Sequence, residues 1–388
     1  MKVDSGEIHP FRYKRTRPFS RQVVRLAEQH RANYHGVALF DAIVAVVIEN
    51  YKRALSAVPF AERPVNSMPT VQSEGSTAVQ FARFAASGRN TFVLTPTLVE
   101  MLQRTDMAGV RLSDLILPFN SFYLGFAGAY DGALPGPPNQ IDGAYVERVS
   151  GDHLTIFLTS RRLDAPADTS AGWPSNRDRY FAVHLVDQGG DTSLLDAFTT
   201  AVTKELQSDP AYEALREVID DPSLDLPLGM EARLNPEPAS QEIHALFASG
   251  VPSAAAAVAL IGNALCYLSA SPEVSTPDLP ADAPLVQARA AMTGTGTIQQ
   301  RARAELLEQG ISVIHWLGPN QAARSPSKST RGESGVKTAA HWRRGHWRRQ
   351  AHGLGGLERR LIWIAPMIVG VGAPVGRDRV YQVDEPRD

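Results

Sequence analysis

Residues 143–149 and 153–159 flank Ser150-Gly151-Asp152, and in the second segment Leu154, Ile156 and Leu158 alternate with Thr155, Phe157 and Thr159. A period of two matches the alternating faces of a strand, and a short glycine-containing connection turns the chain back antiparallel. This hairpin commits the chain to a sheet. Residues 122–126 are aromatic and β-prone, 115–117 form a short extended piece before Pro118, and 180–186 supply another strand containing His184.

Helical patterns surround these strands. One is expected over 21–33, with Ser20 as its cap, and another over 36–58, ending near Pro59 and Pro64. Residues 60–78 read as a loop. Thr95 and Pro96 open a short helix over 96–104. Helical character returns at 194–206, 211–219, 239–248 and 252–269, with 222–238 a linker. The apolar, Ala-rich body of the 252–269 helix marks it as central and buried. Four prolines make 271–292 an irregular connection. Thr297 and Gln300 suggest a capping box for a helix over 298–309, Gly310 ends it, and 311–317 is a strand. The fold class is α+β: a mixed or antiparallel sheet with packed helices and a basic C-terminal β module. Three segments are expected: an N-terminal helical region (1–110), an α+β body (111–320) and the basic module (321–388).

Charge sharpens that last boundary. The net charge of the chain is −2, which gives no global case for polyanion binding. Residues 321–388 hold 13 Lys or Arg against 6 Asp or Glu, net +7, so residues 1–320 carry net −9. A local basic patch therefore sits beside a body that repels polyanions. Residues 1–18 form a second basic stretch, with Arg12, Lys14, Arg15 and Arg17 interleaved with Phe11 and Tyr13. It reads as a solvated arm that docks locally or touches phosphates. The single cysteine, Cys266, rules out an intrachain disulfide and a Cys-rich zinc site; its apolar neighbours make it a core residue. The apolar stretches are short or interrupted for a membrane span, and no signal peptide is visible, so a cytoplasmic protein with no membrane partner is expected.

The densest chemistry lies in the sequence His341-Trp342-Arg343-Arg344-Gly345-His346-Trp347-Arg348-Arg349-Gln350, followed by His352, Glu358, Arg359 and Arg360. Residues 321–360 carry 10 Lys or Arg against Glu333 and Glu358. Three chemistries stay open. In the first, Arg343, Arg344, Arg348 and Arg349 hold phosphates while Trp342, Trp347 and His346 stack on unpaired bases, as single-stranded RNA recognition requires. In the second, His341, His346 and His352 supply metal ligands or a proton shuttle for a nuclease or phosphate-directed hydrolase, although the nearby carboxylates are few. A bend at Gly345 brings His341 and His346 together in that arrangement. In the third, the tryptophans pack a small β module and the arginines pair with the acidic body, leaving a protein-interaction scaffold. The glycine-rich stretches at 294–296 and 353–356 match neither a P-loop nor a dinucleotide fingerprint, and no cofactor is expected.

Residues 115–119 (Leu-Ile-Leu-Pro-Phe), Phe122-Tyr123-Leu124, Asn263 through Tyr267-Leu268, the His-Trp-Arg-Arg repeat, Ile362-Trp363-Ile364-Ala365-Pro366 and Gly370 occur in an order that resembles a poorly characterised family encoded by phages and other mobile elements. It is similar, more distantly, to the type V-A anti-CRISPR proteins that reduce production of the CRISPR effector nuclease. The resemblance spans about residues 110–375. It implies RNA- or translation-linked regulation, with RNA or a ribonucleoprotein as partner and a protein partner as a further option. It carries no catalytic residue with it.

Overall fold

The structure, a computed structural model, describes residues 4–56, 68–134, 138–163, 178–187, 189–207, 236–270, 275–318 and 341–369. The N-terminal part comprises α1 (His9–Thr16), α2 (Ser20–Gln29), α3 (Val37–Ser56), α4 (Met68–Ala86), β1 (Thr91–Leu94), α5 (Pro96–Gln103) and β2 (Thr105–Asp106). The middle comprises β3 (Ser121–Gly125), β4 (Asn139–Arg148), β5 (His153–Arg162), β6 (Asp178–Val186), α6 (Leu194–Gln207) and α7 (Pro236–Ala270). There follow β7 (Ser275–Asp278), α8 (Leu285–Thr293), α9 (Gly296–Gln309), β8 (Ile314–Leu317), β9 (His341–Arg343), β10 (Gly345–His352), β11 (Glu358–Ile364) and β12 (Met367–Val369).

Strand alternation explains the layering. In β1, Phe92 and Leu94 enter one core while Val93 enters another. The same split separates Phe122 and Leu124 from Tyr123, Ala144 and Val146 from Tyr145, and Ile156 and Leu158 from Phe157. Strands that are apolar on both sides need cover on both sides. The first face is covered by α5, α6 and α7 through residues such as Leu98, Phe198, Ile261 and Leu265. The second is covered by α1 to α4 through Tyr13, Val23, Ile43 and Phe81. Between them lies a seven-stranded sheet in the order β6-β5-β4-β3-β1-β8-β7. β3 and β8 run parallel to β1 and the other neighbours are antiparallel, so the sheet is mixed and the fold class is α+β, as the sequence indicates. The hairpin that anchors the sequence argument is β4–β5, with Glu147 opposite Thr155 and Arg148 opposite Leu154. Thr95 caps α5 by accepting from the Leu98 amide, and Gly310 closes α9 in the left-handed conformation at φ 92°.

Several expectations are corrected. Residues 9–16 form a helix instead of an irregular arm. His9, Phe11 and Tyr13 are buried in it, and its basic residues are engaged: Arg12 with Asp142 (2.7 Å), Arg15 with Asp282 (2.9 Å) and, just past its end, Arg17 with Glu74 (2.7 Å). Lys14 Nζ donates to the Leu307 and Glu308 carbonyls, both at 2.7 Å, capping the C-terminal end of α9. The phosphate-touching arm is thus overturned, because local acceptors and carboxylates already take its charge. Ser20 is inside α2, whose N-cap is Phe19, and its hydroxyl donates to the Lys14 carbonyl. Residues 68–78, expected as loop, begin α4. Residues 112–114 form a 3-10 turn, and no strand forms at 115–117. The two helices expected at 239–248 and 252–269 are one, running through Pro252. Within it, Ala248–Ala270 is long and apolar enough to cross a membrane, but two-thirds of that window is buried inside the protein, as a core helix requires. Residues 271–292 contain β7 and α8 where an irregular connection is expected. Thr295, not Thr297, is the N-cap of α9, with no side-chain capping bond. The expected helix at 211–219 lies outside the described residues, as do most of the expected linker at 222–238 and most of the segment at 318–340.

Candidate functional site

The His-Trp-Arg-Arg repeat folds as two strand pieces that part at Arg344 and Gly345. β9 pairs antiparallel with β12, placing Trp342 opposite Ile368. β10 pairs antiparallel with β11 on one side and parallel with β2 on the other, forming a three-stranded sheet in the order β11-β10-β2. The C-terminal strands therefore share a sheet with a strand from the N-terminal part. Gly345 sits where this small sheet meets its surroundings. A Cβ there would lie 2.7 Å from Pro366 Cδ and from Thr105 Oγ1 and 2.9 Å from the Ile364 carbonyl, so only glycine fits.

Alternation gives β10 and β11 two unlike faces. On the inner face Trp347 stands opposite Trp363, and Arg349 opposite Leu361. Trp347 is 8% exposed. Its indole N–H donates to Asn263 Oδ1 at 2.7 Å, while Asn263 Nδ2 donates to the carbonyls of Leu102 and Thr105, each at 3.0 Å. Trp363 stacks on Trp347 with ring centres 6.2 Å apart, meets the edge of Tyr267, and donates to Thr105 Oγ1 at 3.2 Å. Arg349 is ion-paired with Asp114. This face is an anchor that ties the hairpin to α7 and to the end of α5. Trp347 has no open ring face for a base, and Arg349 is committed to a carboxylate. The stacking role expected of Trp347 and the phosphate role expected of Arg349 are thus replaced by packing and pairing.

The outer face is different. His346, Arg348, Gln350 and His352 of β10 stand opposite Ile364, Ile362, Arg360 and Glu358 of β11. Arg348 and Arg360 are exposed on this face. Arg359 is also exposed but stands opposite Ala351 on the other row, and Arg343 and Arg344 are exposed at the end of β9 and in the link to β10. Among the described residues, Arg343, Arg348, Arg359 and Arg360 have no carboxylate within ion-pair distance. Arg348 bonds to Gln350, Arg359 donates to the Gly356 carbonyl at 3.2 Å, and Arg360 reaches the Ala270 carbonyl at the end of α7 at 3.5 Å. The one acid on these two strands, Glu358, is paired with His352 at 3.0 Å. Arg348 and Arg360 on this face, with Arg343 before it in the chain and Arg359 on the opposite row, therefore make a cationic surface around the hairpin with unneutralised charge, able to hold phosphates through forked guanidinium bonds.

His346 and His352 do not come together as a catalytic pair. The two lie six residues apart along one extended strand, about 20 Å at the rise of a strand. They cannot bind a common metal or relay one proton. The side chains of His341 and Trp342 lie outside the described residues. Among the described residues no three His, Cys, Asp or Glu side chains converge as metal ligands. Cys266 is buried in α7, and burial pushes its thiol up to about 12, so it is an inert core residue, as the sequence suggests.

A second ionisable cluster lies on the opposite face of the main sheet. Glu147, Thr155 and His184 stand side by side on β4, β5 and β6. Burial raises the Glu147 carboxyl, against the opposing pull of Arg83 at 3.6 Å and a bond from Gln80 at 3.2 Å. Burial first, then the charges of Arg83 and His153, lower both His35 and His184. The folded state holds these two histidines neutral. Their contribution to stability is complete above the unfolded value near 6.5 and is lost as pH falls through the folded values. The melting temperature is expected to fall on acidification from about pH 7.5 to about pH 5, and His184→Asn to flatten that fall in a thermal-melt series; an unchanged slope would refute the assignment. Glu147 acts with the opposite sign, its raised pKa eroding stability as pH climbs.

Asn263, Thr105 and Asp114 organise the site, yet the sequence motif does not include them as site residues. Asn263 carries a signal of its own: it is a carboxamide within the apolar run 254–268, and a buried amide needs partners. Asp114 is one of three carboxylates, with Asp142 and Asp152, that folding could bring to the motif, but nothing in the sequence singles it out, and Thr105 carries no signal, because their partners Arg349 and Trp363 lie 235 and 258 residues away in the chain.

The model of the AcrVA2-like family, the anti-CRISPR type V subtype A2 family, matches residues 92–371, from β1 to just past β12. A solved structure described as the crystal structure of AcrVA2 aligns over 94% of this chain and 98% of its own, at 13% identity and a TM-score of 0.37. Among curated proteins none matches significantly.

Proposed function

The chain belongs to the AcrVA2-like anti-CRISPR family, and from that premise we propose that it is a mobile-element regulator that restrains a type V-A CRISPR system by binding RNA or a ribonucleoprotein through the outer face of the β10–β11 hairpin. It acts in the cytoplasm, without catalysis, by lowering production of the effector nuclease. The observation that carries this reading is a set of exposed arginines without carboxylate partners among the described residues: Arg348 and Arg360 on the outer face of a sheet whose other face is fixed to the core, with Arg343 on the preceding strand β9 and Arg359 on the opposite row beside the turn of the hairpin. Arginines carried on a fixed strand spare the cost of ordering the backbone when they meet phosphate, and the planar fork limits what each side chain loses per bond. The net −9 of residues 1–320 repels a polyanion elsewhere and leaves this surface as the point of approach.

Two measurements test it. In fluorescence titration with a labelled single-stranded RNA, affinity is expected to fall steeply between about 50 and 200 mM salt. Arg343→Gln with Arg348→Gln is expected to reduce the log–log salt slope by about 1.4, at roughly 0.7 for each phosphate that an arginine neutralises on a single strand. In cells expressing a type V-A effector, the intact chain lowers effector protein and the same double variant does not. RNA binding that ignores both salt and these substitutions would sink the proposal.

A further inference from the structure

The connection between β10 and β11 displays two leucines almost wholly to solvent: Leu354 is 98% exposed and Leu357 is 88% exposed. Their backbone is specified, since Gly353, Gly355 and Gly356 all adopt positive φ (76°, 71° and 67°), which other residues rarely sustain. A Cβ on Gly353 would also stand 3.0 Å from the Glu358 carboxyl carbon. The His352–Glu358 pair closes the neck of this tip. Arg359 stands just beyond the neck, its guanidinium turned back to the Gly356 carbonyl, and Arg360 and Arg348 lie behind on the strands. Two apolar side chains are thus held forward of a cationic surface by a glycine-shaped loop.

We propose that this tip is a wedge: Leu354 and Leu357 enter among the unstacked bases of an RNA loop while the arginines behind hold the flanking phosphates. This rests on the phosphate-binding role proposed above and deepens it by naming the form of RNA, a single-stranded loop instead of a continuous duplex. Charge favours this occupant. Arg348 and Arg360 on the outer face and Arg359 on the opposite row flank the tip, with the acid of these strands already paired, and such a cluster of like charges suits a chain of phosphates. The apolar faces of bases opened from the stack are the matching surface for leucine, and apolar wedges beside basic side chains are a recurrent way to hold opened base steps. With Trp347 sealed inside, the two leucines are the large apolar side chains at the head of this face.

The experiment compares a fluorescein-labelled RNA stem-loop with a blunt RNA duplex built from the same stem, titrated against the full chain. The intact protein is expected to prefer the stem-loop. Leu354→Ser with Leu357→Ser is expected to weaken stem-loop binding about tenfold, the order set by giving up the burial of apolar side chains, to erase the preference, and to leave the salt slope unchanged. Both leucines are exposed, so the thermal midpoint should match the parent and certify the fold. Arg348→Gln with Arg360→Gln is expected to weaken both RNAs and flatten the slope. If the serine variant binds the stem-loop like the parent while the arginine variant loses it, the wedge is wrong and the phosphate-binding surface stands. If the parent binds neither RNA, both proposals fail, including the case in which the tip instead captures a protein.

Discussion

Replacing Asn263 by leucine is expected to destabilise the protein by about 4 kcal/mol, since three buried polar groups lose their partner and each such loss costs roughly 1–3 kcal/mol. The three are the carbonyls of Leu102 and Thr105 and the indole N–H of Trp347. Leucine is larger than asparagine but similar in shape, so the change removes bonds without opening a cavity. Carbonyls keep a second lone pair, which places the expected loss below the sum of three full penalties. Denaturant unfolding gives the magnitude, and a cycle with Trp347→Phe tests the cause. Both substitutions break the same bond, so their effects should fall short of additivity by about 1 kcal/mol or more. Strict additivity would mean that Asn263 and Trp347 act apart and that the hairpin is held some other way. Because the outer arginines are displayed by the strand that Trp347 anchors, Asn263→Leu should also weaken RNA binding without altering any residue that meets RNA.

The parts of this fold that can be read from the sequence are those whose causes are local. The β4–β5 hairpin announces itself because both strands and their turn are neighbours in the chain. Thr95 with Pro96 and Gly310 mark helix ends because capping is decided within one turn. α1 is hidden because its basic residues look solvated until Asp142, Asp282 and the end of α9 are brought to them, and Glu74 to Arg17 beside it. Pro252 suggests a break, but α7 continues through it with the proline exposed on its surface. For the candidate site, alternation along β10 is legible and its consequence is not. That Trp347 and Arg349 share one face follows from period two, but which face is inner depends on Asn263 and Asp114, and a strand cannot tell its two sides apart until something packs on one of them.

Arg12→Leu is expected to cost about 4 kcal/mol, in the range for removing one partner of a buried pair and leaving the other's charge behind. Asp142 is 4% exposed; it accepts from Arg12 at 2.7 Å, from Thr159 at 2.6 Å and from Tyr123 at 3.3 Å. The two hydroxyls satisfy lone pairs but do not cancel a charge. A carboxylate is retained here, deep in the sheet at the register shift between Ile141 and Gly143, because a guanidinium from α1 reaches it. The N-terminal helix is therefore a clasp, held to β4 by charge and to the core by Phe11 and Tyr13. Adding Asp142→Asn to Arg12→Leu should recover a large part of the loss, since the amide can still accept from Thr159 without carrying charge. Urea unfolding of the two variants separates the possibilities. Recovery of about 2 kcal/mol or more means that the stranded charge dominates the cost, whereas no recovery would assign the loss to the packing of the arginine stem. Either result bears on the far side of the molecule, because β4 adjoins β3 and β3 adjoins β1, whose carboxyl end leads into α5 and so into the carbonyls that hold Asn263.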